Sequence, residues 1–414
     1  MKYNKKFVAS FVLIIFTFYP NLLRAIHVPY SVESAVKWSN SIYQDILSNF
    51  NRNISSRHQH VFDISSEGVK RDAVFVTGSC SGIGESVCNL LASNKFKLII
   101  TAREARKPDL NQLSNLIRYG LGTSCEYCTL DMSCINDFDQ FIRANIFVSK
   151  ALVGTSLSCI VHNAGVMLGS TGKECVSVNT LAPFALSLGL LPHLLRTASA
   201  AGGSAKIVQL TSSSHLRAPV YRKGDLLSIY RSEKVNIRDA MANYSKSKLC
   251  LMLSGEVLRK RIRNARVGIY DVHPGLVDTK MLQKFFGNHR FPFRNKFLRS
   301  PNEAARDIVQ LICSESDEVP HKPYFVNGLH CPERASDNAY REQDAELCYE
   351  DMLSLVPREI RLNLLETYEK LATRPHSRRW PIRERCRQKN CFTPAAKKAL
   401  TSICKDLRKS LLLS

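Results

Sequence analysis

Acidic residues are scarce in this 414-residue chain: 36 Asp and Glu face 58 Lys and Arg, for a net charge of +22. The deficit is uneven. Residues 373–414 hold twelve Lys and Arg against only Glu384 and Asp406, so nearly half of the surplus belongs to the tail rather than to the core. A disulfide framework is also missing. The fourteen cysteines are scattered through apolar segments, and the one close pair, Cys125 and Cys128, has no second Cys or His pair at zinc spacing. Strand residues three apart point to opposite faces, so no metal site is expected. The commonest dinucleotide fingerprint, G-x-G-x-x-G, does not occur where a phosphate loop is otherwise indicated.

What stands there instead is Ala73-Val-Phe-Val-Thr-Gly-Ser-Cys-Ser-Gly-Ile-Gly84. Ala73–Val76 reads as a short buried strand. Gly78, Gly82 and Gly84 form a turn, and Val87, Leu90 and Leu91 follow at helical spacing. Strand, glycine turn and helix together aim backbone N–H groups and a helix N-terminus at a pyrophosphate. Read alone, the stretch is equally a tight turn. A second strand, Phe96–Thr101, runs into Ala102-Arg103, where typical NAD sites carry an acidic residue for the ribose 2′-hydroxyl. Arg103, with Arg106 close behind, offers positive charge to a 2′-phosphate, so NADP(H) is favoured over NAD(H). Further strands are expected at Cys125–Leu130, Leu157–His162, Lys206–Thr211, Val267–Val272 and Tyr324–Val326. Their alternation with helical patterns predicts a doubly wound parallel sheet covered on both faces, a Rossmann fold.

Tyr244-Ser-Lys-Ser-Lys248 puts a phenol and an ammonium on one face of a predicted helix. A nearby cation favours the phenolate, which lets Tyr244 exchange a proton with an alcohol or carbonyl near neutral pH.

Thr77-Gly-x-x-x-Gly-Ile-Gly84, Asn163-Ala-Gly165, the strand ending in Thr211-Ser212-Ser213, Tyr244-x-x-x-Lys248 and His273-Pro-Gly275 occur in this order over some 200 residues. The set resembles the short-chain dehydrogenase/reductase superfamily, in particular its retinol dehydrogenase and WW-domain oxidoreductase branch. The resemblance implies a cofactor loop of Gly78, Ser79, Cys80, Ser81, Gly82, Ile83 and Gly84. It assigns Asp131 and Met132 to the adenine, and Asn163, Ala164 and Gly165 to the adenosine side. Pro274, Gly275, Val277 and Thr279 fall at the nicotinamide carboxamide. The implied catalytic set is Asn179 for a water in the proton relay, Ser212 to orient the substrate oxygen, Tyr244 as acid/base, and Lys248 to hold the ribose and tune Tyr244. Without the resemblance, Asn179 reads as an N-cap and the serines as turn formers, and Ser213 is the alternative to Ser212 if the register slips by one. Ser79-Cys80 departs from the usual Ala-Asn. The segment after Gly165 is shortened at a helix that often joins a dimer interface, which leaves a homodimer open.

Lys2, Lys5 and Lys6 precede the uncharged run Phe7–Leu23, so residues 1–25 read as a signal peptide or signal anchor. An endoplasmic reticulum or other secretory-pathway membrane is the expected location. Its facing side is open, because the positive-inside count and the sequon Asn243-Tyr-Ser245 disagree, and organelle targeting stays possible. Residues 26–70 read as a linker with an amphipathic helix near Val32–Leu47, 71–330 as the catalytic domain, 331–371 as a helical extension broken near Pro357 and packed on the sheet's edge, and 372–414 as a solvated basic tail. A membrane surface is a candidate partner for Met281–Ser300 or the tail; nucleic acid is disfavoured. The apolar residues of Met281–Ser300 suit a lipophilic carbonyl or alcohol, and equally a core contribution. A catalytically silent nucleotide-binding scaffold is the alternative function, against which the complete Asn179, Ser212, Tyr244 and Lys248 set argues.

Overall fold

Each apolar run expected to be a strand forms one, within two residues of its expected bounds, because each can be buried on both faces of a parallel sheet. The computed structural model describes residues 32–55, 71–134, 137–169, 171–233, 235–263, 265–285, 298–314, 319–373 and 392–412. In chain order, helix α1 (Val32–Ser55) precedes β1 (Arg71–Thr77), α2 (Gly82–Ser93), β2 (Phe96–Ala102), α3 (Lys107–Asn115), β3 (Cys125–Thr129), α4 (Phe138–Ala151) and β4 (Leu157–His162). Next come α5 (Gly172–Ala198), β5 (Ala205–Leu210), α6 (Asp225–Tyr230), α7 (Ile237–Arg261), β6 (Val267–His273), α8 (Lys280–Phe285) and α9 (Pro301–Cys313). The chain continues through β7 (Tyr324–Val326), β8 (Leu329–His330), α10 (Glu342–Leu355), α11 (Arg358–Thr373) and α12 (Pro394–Leu412).

The strands lie in the order β3-β2-β1-β4-β5-β6-β7-β8. β1 to β7 pair in parallel, and only β8 runs antiparallel, against β7. Strand order reverses between β1 and β4, which opens a crevice at the carboxyl ends of the strands, where ligands of such sheets bind. Side chains alternate between two cores. Val74, Val76, Leu98 and Ile100 pack with Leu91 of α2 and Ile308 of α9. Phe75, Ile99, Ile160 and Ile207 pack under α4, α5 and α7 on the other face.

Helix α5 is apolar enough, over 27 residues, to cross a membrane by length and composition, yet 94% of its most apolar window is buried inside the fold. A helix apolar all round needs cover all round. The sheet covers one side, and α11 and α12 lie against the other, with the Tyr368 hydroxyl donating to the Leu188 carbonyl at 2.6 Å.

Three expectations are corrected here. The 26–70 segment is more than a linker: α1 docks on the catalytic domain, with Trp38, Asp45 and Ile46 buried. The end of the basic tail is not solvated chain. Ala396, Leu400, Ile403 and Leu407 recur at helical spacing and bury one face of α12, while Arg408 pairs with Glu369 and Lys409 with Glu350. α10 and α11 do break around Pro357, but they pack on α7 and α5 rather than on the sheet's edge, because that is where the uncovered apolar surface lies. Residues 1–25, most of the apolar segment after Phe285, and Trp380 lie outside the described residues.

Candidate active site

The glycine turn leaves β1 at the crevice and is fixed from the side by β4. Asn163, one residue past β4, donates its amide to the carbonyls of Thr77 (3.0 Å) and Gly78 (2.9 Å). The Thr77 hydroxyl in turn accepts from the backbone N–H of Asn163 and of Ala164, both at 3.1 Å. Gly78 and Gly82 have φ of +65° and +58°, values that a side chain disfavours. At Gly84 a Cβ would overlap the Gly78 carbonyl and the Asn163 amide. Ser79 is buried and donates its hydroxyl to the Thr101 carbonyl at 3.0 Å, so the departure from Ala at this position is absorbed by a hydrogen bond to β2.

Asn179 sits in a π-helical turn, Ser177–Leu181, within α5. Such turns re-aim a side chain that regular helix would carry past. Its carbonyl oxygen accepts from Val166 N–H and its amide donates to the Val166 carbonyl, both at 2.8 Å, and also to the Ser247 hydroxyl at 3.0 Å. Asn179 thereby ties the Asn163-Ala-Gly165 segment to the helix that carries Tyr244 and Lys248.

Ser212 caps the 3₁₀ turn Ser213–Arg217 that follows β5, its hydroxyl accepting from Ser214 N–H at 3.2 Å. The Ser212 hydroxyl also hydrogen-bonds the Tyr244 phenol. Tyr244 and Lys248 are both buried on one face of α7. The Lys248 ammonium donates to the Leu210 carbonyl at 2.8 Å and lies 5.8 Å from the Tyr244 ring centroid. Burial pushes the Tyr244 phenol up to about 12, and the hydrogen bond from Ser212 pulls the other way. Burial lowers Lys248 to about 8. The expected depression of Tyr244 by Lys248 is therefore corrected: in the protein alone, loss of water dominates and the phenol is raised.

Arg103 follows β2 and, with Tyr127, Thr129 and Asp131, lines a cavity of about 680 Å³. Neither the glycine turn nor the Tyr244 group lines it. Asp131 accepts from Ser133 at 2.7 Å, and Met132 is buried. Arg106 is not free to act beside Arg103, since it donates to the Cys80 carbonyl at 2.9 Å and pairs with Asp109 at 2.5 Å. Glu104, adjacent to Arg103, is occupied by Lys107 at 3.1 Å.

The His273-Pro-Gly275 loop is braced by residues that no motif marked. Buried Arg299 donates to the Pro274 carbonyl (2.8 Å), to Asn327 Oδ1 (2.9 Å) and to Asp307 (2.6 Å). Gly275 has φ of +81°. Thr279 lies beside Gly82, so the loop closes over the glycine turn. His273 Nε2 bonds Asp45 of α1 at 2.8 Å. His215 donates from Nδ1 to the Ser212 carbonyl at 2.6 Å, because its Nε2 is taken as acceptor by Ser336 N–H at 3.0 Å. Burial lowers His215 to about 4, so it is neutral. A polar residue close to a recognised serine was the one available sequence signal for His215; the partners of Asp45 lie too far along the chain to be paired from sequence, and Arg299 stands in a basic stretch that gives no sign of its burial.

The donors fit a nicotinamide dinucleotide. Glycine positions stand where backbone must approach closely, and the buried Lys248 ammonium has one protein acceptor among the described residues, which leaves two N–H bonds for ribose hydroxyls. With a buried acid/base pair at the carboxyl end of a doubly wound sheet, these features define a nicotinamide-dependent oxidoreductase.

The family model for short chain dehydrogenases matches residues 72–224. Retinol dehydrogenase 11 of Homo sapiens is 24% identical over 260 residues, 61% of this chain and 76% of its own length. The WW domain-containing oxidoreductase of Pongo abelii is 26% identical over 280 residues, 65% of each chain. Among solved structures, the alcohol dehydrogenase of the archaeon Thermococcus sibiricus, complexed with 5-hydroxy-NADP, aligns over 62% of this chain and 95% of its own, at 20% identity and a TM-score of 0.47. Residues 72–224 thus match the short chain dehydrogenases, and the similarity to the retinol dehydrogenase and WW domain-containing oxidoreductase relatives extends over about three fifths of the chain.

Proposed function

We propose that the protein interconverts an alcohol with an aldehyde or ketone, using NADP(H) in preference to NAD(H), and that its substrate is lipophilic. The observation that carries this reading is the buried Ser212–Tyr244–Lys248 group at the carboxyl end of β5. When bound, the nicotinamide supplies or accepts the hydride. Tyr244 gives the proton to the carbonyl oxygen during reduction and takes it back during oxidation. Ser212 holds that oxygen by a hydrogen bond, and its own orientation is kept by Ser214 and by His215 behind it. Lys248 holds the ribose with its remaining N–H groups. Asn179, locked to Val166, supports a water between Lys248 and solvent for proton exchange.

Arg103 carries the NADP(H) preference. It is exposed, borders the cavity after β2, and its acidic neighbour Glu104 is neutralised by Lys107. A lipophilic substrate accords with the names of the retinol dehydrogenase relatives and with the apolar residues after Met281. A secretory-pathway membrane location accords with the apolar run Phe7–Leu23.

The test is NADPH and NADH oxidation by the protein against retinal, aliphatic aldehydes and steroid ketones. NADPH is expected to be used at least tenfold more efficiently than NADH. Arg103→Ala should bring the two within about threefold, equivalent to losing about 1 kcal/mol of charge-assisted contact. Tyr244→Phe should keep NADPH binding and lose turnover by about a thousandfold, the scale of one acid/base group. Tight nucleotide binding with no turnover of any carbonyl would favour the silent scaffold.

A further inference from the structure

Helix α1 touches the site at two places that lie far apart in sequence. Trp38, Ser41, Asp45 and Ser48 follow one another at intervals of three or four and share one face. Asp45 is fully buried, with Oδ2 on His273 Nε2 at 2.8 Å and Oδ1 on Arg334 at 2.7 Å. Arg334 also reaches the Ser41 carbonyl and hydroxyl, at 3.1 and 3.2 Å. Ser48 accepts from the Asn327 amide at 3.0 Å; Asn327 is in turn the acceptor for Arg299, which holds the Pro274 carbonyl. The Trp38 ring packs on the guanidinium of Arg217, 4.4 Å from centroid to Cζ, at the end of the 3₁₀ turn that Ser212 opens.

A helix that only added apolar cover would show an apolar face to the domain. This one presents a tryptophan, two serines and a carboxylate, which contact Arg217, Arg334, Asn327 and His273. A buried carboxylate is costly unless both its partners are held in place, so the Asp45 contacts resist displacement of β6's carboxyl end.

We propose that α1 is a positioning element of the active site: Asp45, acting through His273, and Ser48, acting through Asn327 and Arg299, hold the Pro274–Gly275 loop, while Trp38, acting through Arg217, holds the turn after Ser212. The inference rests on the oxidoreductase reading above, in which that loop meets the nicotinamide and Ser212 meets the substrate. None of the α1 contacts described above reaches the glycine turn or Arg103, where the adenosine end of the cofactor would lie. Loss of the α1 contacts therefore separates two quantities that a general loss of structure lowers together. The hydride-transfer rate falls because donor and acceptor are misaligned, and nucleotide affinity is retained.

The experiment compares full-length wild type and Asp45→Asn, with NADPH and the aldehyde that wild type reduces fastest. It measures the single-turnover rate, its primary deuterium isotope effect with deuterated NADPH, and the NADPH Kd by nicotinamide fluorescence. The expected result is a rate at least tenfold lower, a larger isotope effect, and a Kd within about threefold of wild type. A rate within twofold of wild type overturns the proposal, as does a parallel loss of rate and affinity in a variant with wild-type circular dichroism. If Asp45→Asn does not fold, Trp38→Leu keeps an apolar side chain and removes the ring over Arg217. A rate at least threefold lower at unchanged Kd then supports the proposal, and an unchanged rate overturns it. A wild type that neither binds NADPH nor turns over refutes the oxidoreductase reading itself and takes this inference with it.

Discussion

Replacing Lys248 by methionine is expected to stabilise the nucleotide-free protein while abolishing its chemistry. The ammonium is fully enclosed by α7 and β5, and burial lowers it from 10.5 to about 8. At about 1.36 kcal/mol per pH unit, that corresponds to about 3 kcal/mol of penalty for keeping the charge inside the fold. Methionine fills nearly the same volume without charge, but forfeits the hydrogen bond to the Leu210 carbonyl, worth about 1 kcal/mol. The net gain is about 2 kcal/mol, or a melting temperature about 2 °C higher in a chain of this size. The effect has a defined pH dependence. A lysine whose folded pKa lies below its unfolded one bears the full penalty below about 8. As pH rises from there toward 10.5, the folded state loses the proton first and the penalty fades, so the gap between variant and wild type closes. Thermal melts of both proteins from pH 7 to pH 10, without nucleotide, measure it. A variant that melts below wild type at pH 7, or a gap that stays constant up to pH 10, refutes the reasoning.

Gly84→Ala should cost about 1–3 kcal/mol in urea unfolding and weaken NADPH binding at least tenfold, because its methyl group overlaps the Gly78 carbonyl and the Asn163 amide. An unchanged Kd would show that the turn is not the phosphate cradle. Carbonyl reduction should be flat from pH 6 up to the point near 8 where Lys248 begins to lose its proton, since Tyr244 is pushed up to about 12 and stays protonated, whereas alcohol oxidation should rise toward alkaline pH. A reduction rate that collapses between pH 7 and 8 contradicts that assignment.

The sheet was legible because its strands are short apolar runs bounded by turn residues, and burial on both faces demands that composition. The site was legible where its chemistry is local: Tyr244 and Lys248 are one helical turn apart, and Gly78, Gly82 and Gly84 share a single loop. Three other kinds of information were not. Asp45 and His273 are separated by 228 residues, and nothing in either segment announces the other. Arg299 read as one more member of a basic stretch, although it is the buried brace of the Pro274 loop. The apolar stripe of α12 was hidden by its charge count, since Lys397, Lys398, Lys405, Arg408 and Lys409 dominate the composition of a helix whose other face is core. The Tyr244 ionisation was also misjudged, because i,i+4 spacing gives a neighbour but not the exclusion of water.

The burial of α5 from both sides has a consequence for how the chain is made. Residues 172–198 leave the ribosome well before 342–412, the part that supplies their outer cover. At about 5–20 residues per second, the delay is roughly ten to forty seconds. During that interval the growing chain carries an apolar segment long enough to be mistaken for a membrane span. Vectorial synthesis thus makes α10, α11 and α12 a shield that arrives late. A nascent chain cut short after residue 330 would keep Asn179, Ser212, Tyr244 and Lys248 and still be a substrate for chaperones and quality-control proteases rather than an enzyme.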